Sequence, residues 1–181
     1  MANTKGAAMI GIVKMMRRNR ERALELLSPD LHRYFEERVV PSSWYPEEHL
    51  AELFRAAATL SGVPQERFYE SLGAVAAREQ FSGTFSDVAR TSMLEAKAMV
   101  LWSAQHDTGQ MKLVSRSEGL TRYELRDFAA PSPEMCGVTT GYLRESYVIT
   151  GADDVTCSHD RCVCRGDDLC TWVCRWTEKA D

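Results

Sequence analysis

The sequence predicts an α+β fold: a helical N-terminal half, a small antiparallel sheet, and a C-terminal helix followed by a cysteine-rich hairpin. Three observations carry this reading. Apolar residues recur at helical spacing through about residue 105. From residue 110 the period changes to two, in 110–128 and again in 153–176. All six cysteines lie beyond residue 135, so chemistry that needs sulfur is confined to the last quarter of the chain.

Each element has its own justification. In 7–27, Met9, Ile12, Val13, Met16, Ala23, Leu24 and Leu27 keep helical spacing, and Ser28-Pro29 ends the run because proline disfavours helical backbone before it. Residues 30–39 read as a short helix with Asp30 as cap. Residues 40–46 (VPSSWYP) form a turn-rich connector. In 47–60, Leu50, Leu53, Phe54, Ala57 and Leu60 share one face, and Gly62 suits the helix end. A helix over about 64–80 is expected to bury Phe68, Leu72, Val75 and Ala76. Another, over about 85–105, turns Phe85, Val88, Met93, Ala96, Val100 and Leu101 inward.

The β signals follow. Residues 110–128 alternate around Glu118-Gly119 and predict a hairpin. Ser132-Pro133 starts a helix, with the hydroxyl as cap and proline at the first helical position, and Cys136 falls in its first turn. Gly151 closes that helix. In 153–176, Cys170, Trp172, Cys174 and Trp176 share one strand face, Cys157 and His159 point the same way, and Gly166-Asp167-Asp168 supplies the turn.

Composition narrows the function. With 181 residues, 44% apolar and 27% charged, the chain is expected to form one domain over 1–181. A net charge of −4 argues against a nucleic-acid partner. The basic run Lys14, Arg17, Arg18, Arg20 and Arg22 is interrupted by Glu21 and followed by Glu25, so it reads as a solvated helix face. No window suits a membrane span or an export signal, and a cytoplasmic location is expected. In that compartment thiols stay reduced, so clustered cysteines point to metal or redox chemistry before disulfides.

Cys136, His159, Cys162 and Cys170 can converge if the segment HDRC brings Cys162 beside His159 and a hairpin opposes Cys162 to Cys170. Three thiolates and an imidazole suit a structural zinc site. The spacing alone is equally compatible with small buried thiols. Cys157, Cys164 and Cys174 read as packing. Cys164 beside Arg165 offers little as a nucleophile, and no G-x-S-x-G or Gly-rich phosphate loop is present, so no catalysis is expected.

From Gly141 to Trp176 the chain resembles the terminal part of 4-vinyl-reductase-type small-molecule-binding domains. These share a superfamily with aromatic-responsive activators, bacterial haem–nitric-oxide sensors and a Golgi tethering subunit. Ser42-Ser43-Trp44-Tyr45-Pro46 is similar to an uncharacterised myxobacterial paralogous family of the same superfamily. The aromatic-responsive sensors carry a zinc pattern C-x₂₂-E-x₂-C-x₇-C. Here Cys136, His159, Cys162 and Cys170 keep every step, with histidine in place of the carboxylate.

The resemblance implies a non-catalytic sensory domain that binds a small apolar ligand and is braced by zinc. Phe81, Phe85, Trp102, Tyr123 and Tyr142 are the candidate pocket residues. Thr140 and Gly141 stand where phenol-type sensors carry a pocket aromatic, so a phenol ligand is not implied. The superfamily's haem sensors need a proximal histidine and a Tyr-x-Ser-x-Arg triplet. This chain lacks the triplet, and His32, His49 and His106 read as surface or core residues, so no haem is expected. The alternative is a protein-interaction scaffold, and a homodimer is expected in either case. No output domain is recognisable, so any signal passes through a partner that the sequence does not name.

Overall fold

A computed structural model describes residues 1–81 and 100–177. The fold is α+β, and each element has a local cause. Strand β1 (Asn3–Lys5) leads into helix α1 (Gly6–Arg18), and α2 (Arg20–Leu26) follows a break at Asn19. The stripe predicted as one helix over 7–27 is therefore two. A 3₁₀ turn (Pro29–Leu31) and the one-turn helix α3 (Arg33–Glu36) replace the expected 30–39 helix. Asp30 lies inside the 3₁₀ turn instead of capping it.

The connector contains strand β2 (Trp44–Pro46), which pairs antiparallel with β1 in the register Thr4↔Tyr45. Helix α4 (Glu47–Ser61) buries Leu50, Leu53, Phe54 and Ala57, as its stripe predicts, and ends at Gly62 in a left-handed conformation (φ 68°). Residues 105–107 hold the N-terminal strand in place. Asn3 donates its backbone and side-chain N–H groups to Asp107, both at 2.7 Å. The His106 imidazole pairs through Nδ1 with the buried Glu47 carboxylate.

Helix α5 (Gln65–Phe81) buries Phe68, Tyr69, Gly73, Ala74, Ala77 and Phe81, while Val75 and Ala76 face solvent, contrary to the expected stripe. The reason is its partner. Helix α6 (Pro133–Ile149) lies so close that a Cβ on Gly73 would stand 1.9 Å from the Val138 carbonyl oxygen. One on Gly141 would stand 1.9 Å from that of Glu70. Small residues, not large apolar ones, form this contact, as in glycine-mediated helix pairs generally. Of the expected 85–105 helix, residues 100–105 are helical, with Val100 exposed and Trp102 buried. Phe85, Val88, Met93 and Ala96 lie outside the described residues.

The main sheet has the order β3-β4-β6-β5, all antiparallel, from β3 (Gln110–Ser117), β4 (Leu120–Arg126), β5 (Asp153–Arg161) and β6 (Cys170–Thr177). Strand β6 is central and buried over most of its length. Tyr147 of α6 pins helix to sheet: its hydroxyl meets those of Thr121 and Tyr123, the latter at 2.7 Å, and its ring stacks on Trp176. No helix among the described residues is long and apolar enough to cross a membrane.

Candidate metal centre

Cys136 is delivered by the start of α6. Ser132 caps that helix by accepting a hydrogen bond from the Met135 N–H at 3.1 Å, with Pro133 in the first turn. The other three candidate ligands come from the β5–β6 hairpin: His159 from β5, Cys162 from the connection and Cys170 from the start of β6. Cys162 follows β5, and its N–H donates to Asp167 Oδ2 at 2.7 Å. Its carbonyl accepts from the N–H groups of Arg165 and Asp167. A 3₁₀ turn (Val163–Arg165) and Gly166 at φ 95° then reverse the chain, a left-handed backbone that favours glycine. The predicted tight turn at 166–168 is thus a wider loop that begins at Val163. It sets the Val163 N–H 3.5 Å from Cys170 Sγ, while Arg165 Nη2 holds the His159 carbonyl oxygen at 2.8 Å.

The result is one cluster. The ligand atoms of Cys136, His159, Cys162 and Cys170 all lie within 4.8 Å of one another. Cys136 Sγ and Cys162 Sγ are 3.7 Å apart, close to the roughly 3.8 Å between sulfurs of a tetrahedron with Zn–S near 2.3 Å. The three cysteines are buried. His159 Nε2 is also buried and has no hydrogen-bond partner. A buried imidazole nitrogen without a partner is costly unless something fills its lone-pair or N–H direction.

The cluster is electrostatically uneven. The Cys170 thiol is held down to about 4, first by its hydrogen bond with Cys136, helped by the His159 ring and the Val163 N–H. Its partner Cys136 is pushed up by the same bond and by burial. A divalent metal binds thiolates, not thiols, so a bound ion would require Cys136 to lose its proton as well. Cys164 is exposed and stays outside the cluster. Its thiol is pushed up to about 11, chiefly by desolvation and then by nearby Cys162, the opposite of what activates a nucleophile.

Trp172 and Thr140, which the sequence reading does not connect to the metal cluster, support it. The Trp172 ring is fully buried and stacks on His159 at 4.4 Å with planes 6° apart. Its Nε1–H donates to Thr140 Oγ1 at 2.9 Å, and that hydroxyl donates to the Cys136 carbonyl oxygen at 2.8 Å. The chain His159–Trp172–Thr140–Cys136 therefore ties the sheet ligand to the helix ligand. Strand alternation, with Trp172 on the Cys170 face, and the i+4 step from Cys136 to Thr140 were the available signals.

The candidate pocket aromatics are dispersed. Phe81 and Tyr142 share a small cluster with centroids 6.5 Å apart. Trp102 stacks on His106 and meets Phe128 edge-on. Tyr123 belongs to the hydroxyl network, and Phe85 lies outside the described residues. A cavity of about 210 Å³ adjoins the metal cluster instead, lined by Leu125, Phe128, Met135, Cys136, Cys170 and Trp172 among others.

No family model and no curated protein matches the chain. Solved structures do. An H-NOX protein from S. oneidensis in the Fe(II)NO ligation state aligns with a TM-score of 0.69 at 14% identity, over 96% of this chain and 99% of that one. A mutant H-NOX protein of K. algicida, Fe(II) and unliganded, aligns with a TM-score of 0.65 at 7% identity, over 97% of both chains. A mutant of T. tengcongensis H-NOX aligns with a TM-score of 0.62 at 10% identity, over 97% and 98%. At these identities the likeness is one of fold.

That likeness overturns the expectation of no haem. The fold is one in which solved relatives carry ligated iron and haem, so a missing Tyr-x-Ser-x-Arg triplet is no ground for setting haem aside. His32 Nε2 lies within hydrogen-bond distance of two backbone carbonyls. His49 Nδ1 meets the Tyr34 hydroxyl, and His106 Nδ1 meets Glu47. What the chain shares with these structures is the H-NOX fold.

Proposed function

We propose that this chain is a non-catalytic sensory domain for a small apolar ligand, with a structural zinc ion at Cys136, His159, Cys162 and Cys170. The observation that carries the zinc reading is the convergence of four ligand atoms from α6 and the β5–β6 hairpin, among them a buried His159 Nε2 without a partner. Three thiolates and one neutral imidazole form a closed tetrahedral set, with no position left for substrate. The ion would clip the start of α6 to the sheet, and Trp172 would orient the imidazole, the role outer-shell groups play at zinc sites. The sensory reading is supported by the H-NOX fold, whose solved examples include Fe(II)NO and Fe(II)CO ligation states. Kinship with the aromatic-responsive sensors is supported by the matching C-x₂₂-H-x₂-C-x₇-C spacing, and with the 4-vinyl-reductase-type domains by the stretch Gly141–Trp176.

Metal analysis of protein purified without added zinc tests the reading, alongside Cys162→Ser. About one equivalent in the parent and a large loss in the variant are expected; less than about half an equivalent in the parent would sink it. Native mass spectrometry of the same sample reads any retained molecule, haem included, together with the oligomeric state. A dimer with no retained molecule would favour the scaffold reading.

A further inference from the structure

We infer that Cys157 and Cys174 form a reversible cross-strand disulfide, a redox-modification site separate from the four-residue cluster. The β5–β6 register places these residues directly opposite each other, and Cys174 Sγ stands 2.9 Å from Cys157 Sγ. Directly opposed residues of an antiparallel pair have Cα atoms roughly 4.5 or 5.5 Å apart. Both values fall within the roughly 4.4–6.8 Å that a disulfide spans, so the bond closes without moving the backbone. Both cysteines are free thiols.

Access is asymmetric. Cys174 lies on the central strand and is fully buried, while Cys157 is half-buried on β5, the edge strand. The order of chemistry follows. The Cys157 sulfur releases its proton to solvent and attacks a low-molecular-weight disulfide, forming a mixed disulfide and expelling one thiolate, which takes up a proton. The Cys174 sulfur then attacks Cys157 Sγ and expels the second small thiol, which leaves with the Cys174 proton. Two protein thiols are oxidised and one small disulfide is reduced to two thiols. In a reducing compartment such a bond is transient, as cytosolic redox-sensing disulfides are.

The position gives the bond a consequence. Cys157 is two residues from His159, on the same face of β5, and Cys174 is two from Trp172, on which His159 stacks. The bond would staple the edge strand to the central one beside the metal-facing histidine.

The test equilibrates the full chain, as purified, with mixtures of oxidised and reduced glutathione, then quenches in acid and alkylates. Intact mass and a tryptic map of the parent protein are read together, so no variant need fold. The expected result is a loss of two hydrogen masses and of two of the six alkylation sites, with a cross-linked peptide pair. Fragment ions should assign the bond to Cys157 and Cys174, not Cys170. Cys157→Ser should abolish the cross-link and Cys164→Ser should preserve it. Three results overturn the inference: both cysteines alkylated when exposed Cys164 is already modified, a glutathione adduct that persists on Cys157, or a bond from either residue to a cluster cysteine. Metal content of the same aliquots separates this outcome from failure of the zinc reading.

Discussion

Replacing Gly141 by alanine tests the helix pair that positions Cys136. The new Cβ would stand 1.9 Å from the Glu70 carbonyl oxygen, where real Cβ atoms essentially never approach within 3.0 Å. The opposing atom is backbone on a helix and cannot swing aside, so α5 and α6 must separate. Overpacking of this kind costs about 1–3 kcal/mol, against a helix-propensity gain of at most about 1 kcal/mol. For a chain of this size each kcal/mol lowers Tm by about 2–4 °C, so a fall of several degrees is expected. Gly11 is the control: it lies on the exposed face of α1, with nothing within 4 Å of its would-be Cβ. Gly11→Ala should therefore raise Tm slightly. Thermal melts followed by far-UV circular dichroism read both. A Gly141→Ala protein as stable as Gly11→Ala would refute the close helix contact.

Three further outcomes are expected. Ser132→Ala removes the cap on α6 and should cost about 1 kcal/mol, measured by urea unfolding; a loss below a few tenths would mean the cap contributes little. Trp172→Ala empties a fully buried ring site and should cost about 3–5 kcal/mol, whereas Trp172→Phe should keep most of the stability but lose the Thr140 hydrogen bond. Both variants should hold metal less well than the parent, and unchanged retention would remove Trp172 from the site's support. His49 is held below its ordinary value by burial first and then by Arg33, with Glu48, Glu52 and Asp30 opposing. The unfolded chain therefore binds the extra proton first, so stability is full above the unfolded value and falls as pH drops below about 6.5 toward the folded value. His49→Gln should shrink the fall in Tm between about pH 7.5 and about pH 5.5, and an equal fall in both proteins would contradict this assignment.

Elements whose signals are local were legible from the sequence: α4 with its stripe and Gly62, the capped start of α6, and the 110–126 hairpin. The failures share a cause in long-range structure. Strands β1 and β2 are three residues each, and Asn3-Thr4-Lys5 carries no alternation; only their pairing makes them strands. Val75 was expected inside because it is large and apolar, but α5 turns its glycine and alanine edge to α6, and a small-residue contact leaves no hydrophobic stripe. At the site, spacing selected all four converging residues, because loop length limits what can meet. Trp172 and the opposition of Cys157 to Cys174 depend on strand register, which periodicity does not set. Haem is set aside on the absent triplet and on the reading of His32, His49 and His106 as surface or core residues, local signals set against a fold that only the whole chain displays.

X-ray absorption at the zinc edge, on protein purified without added metal, reads the Cys₃His site itself. About three sulfurs near 2.3 Å and one nitrogen near 2.0–2.1 Å are expected. A first shell of oxygen and nitrogen alone would contradict the Cys₃His site.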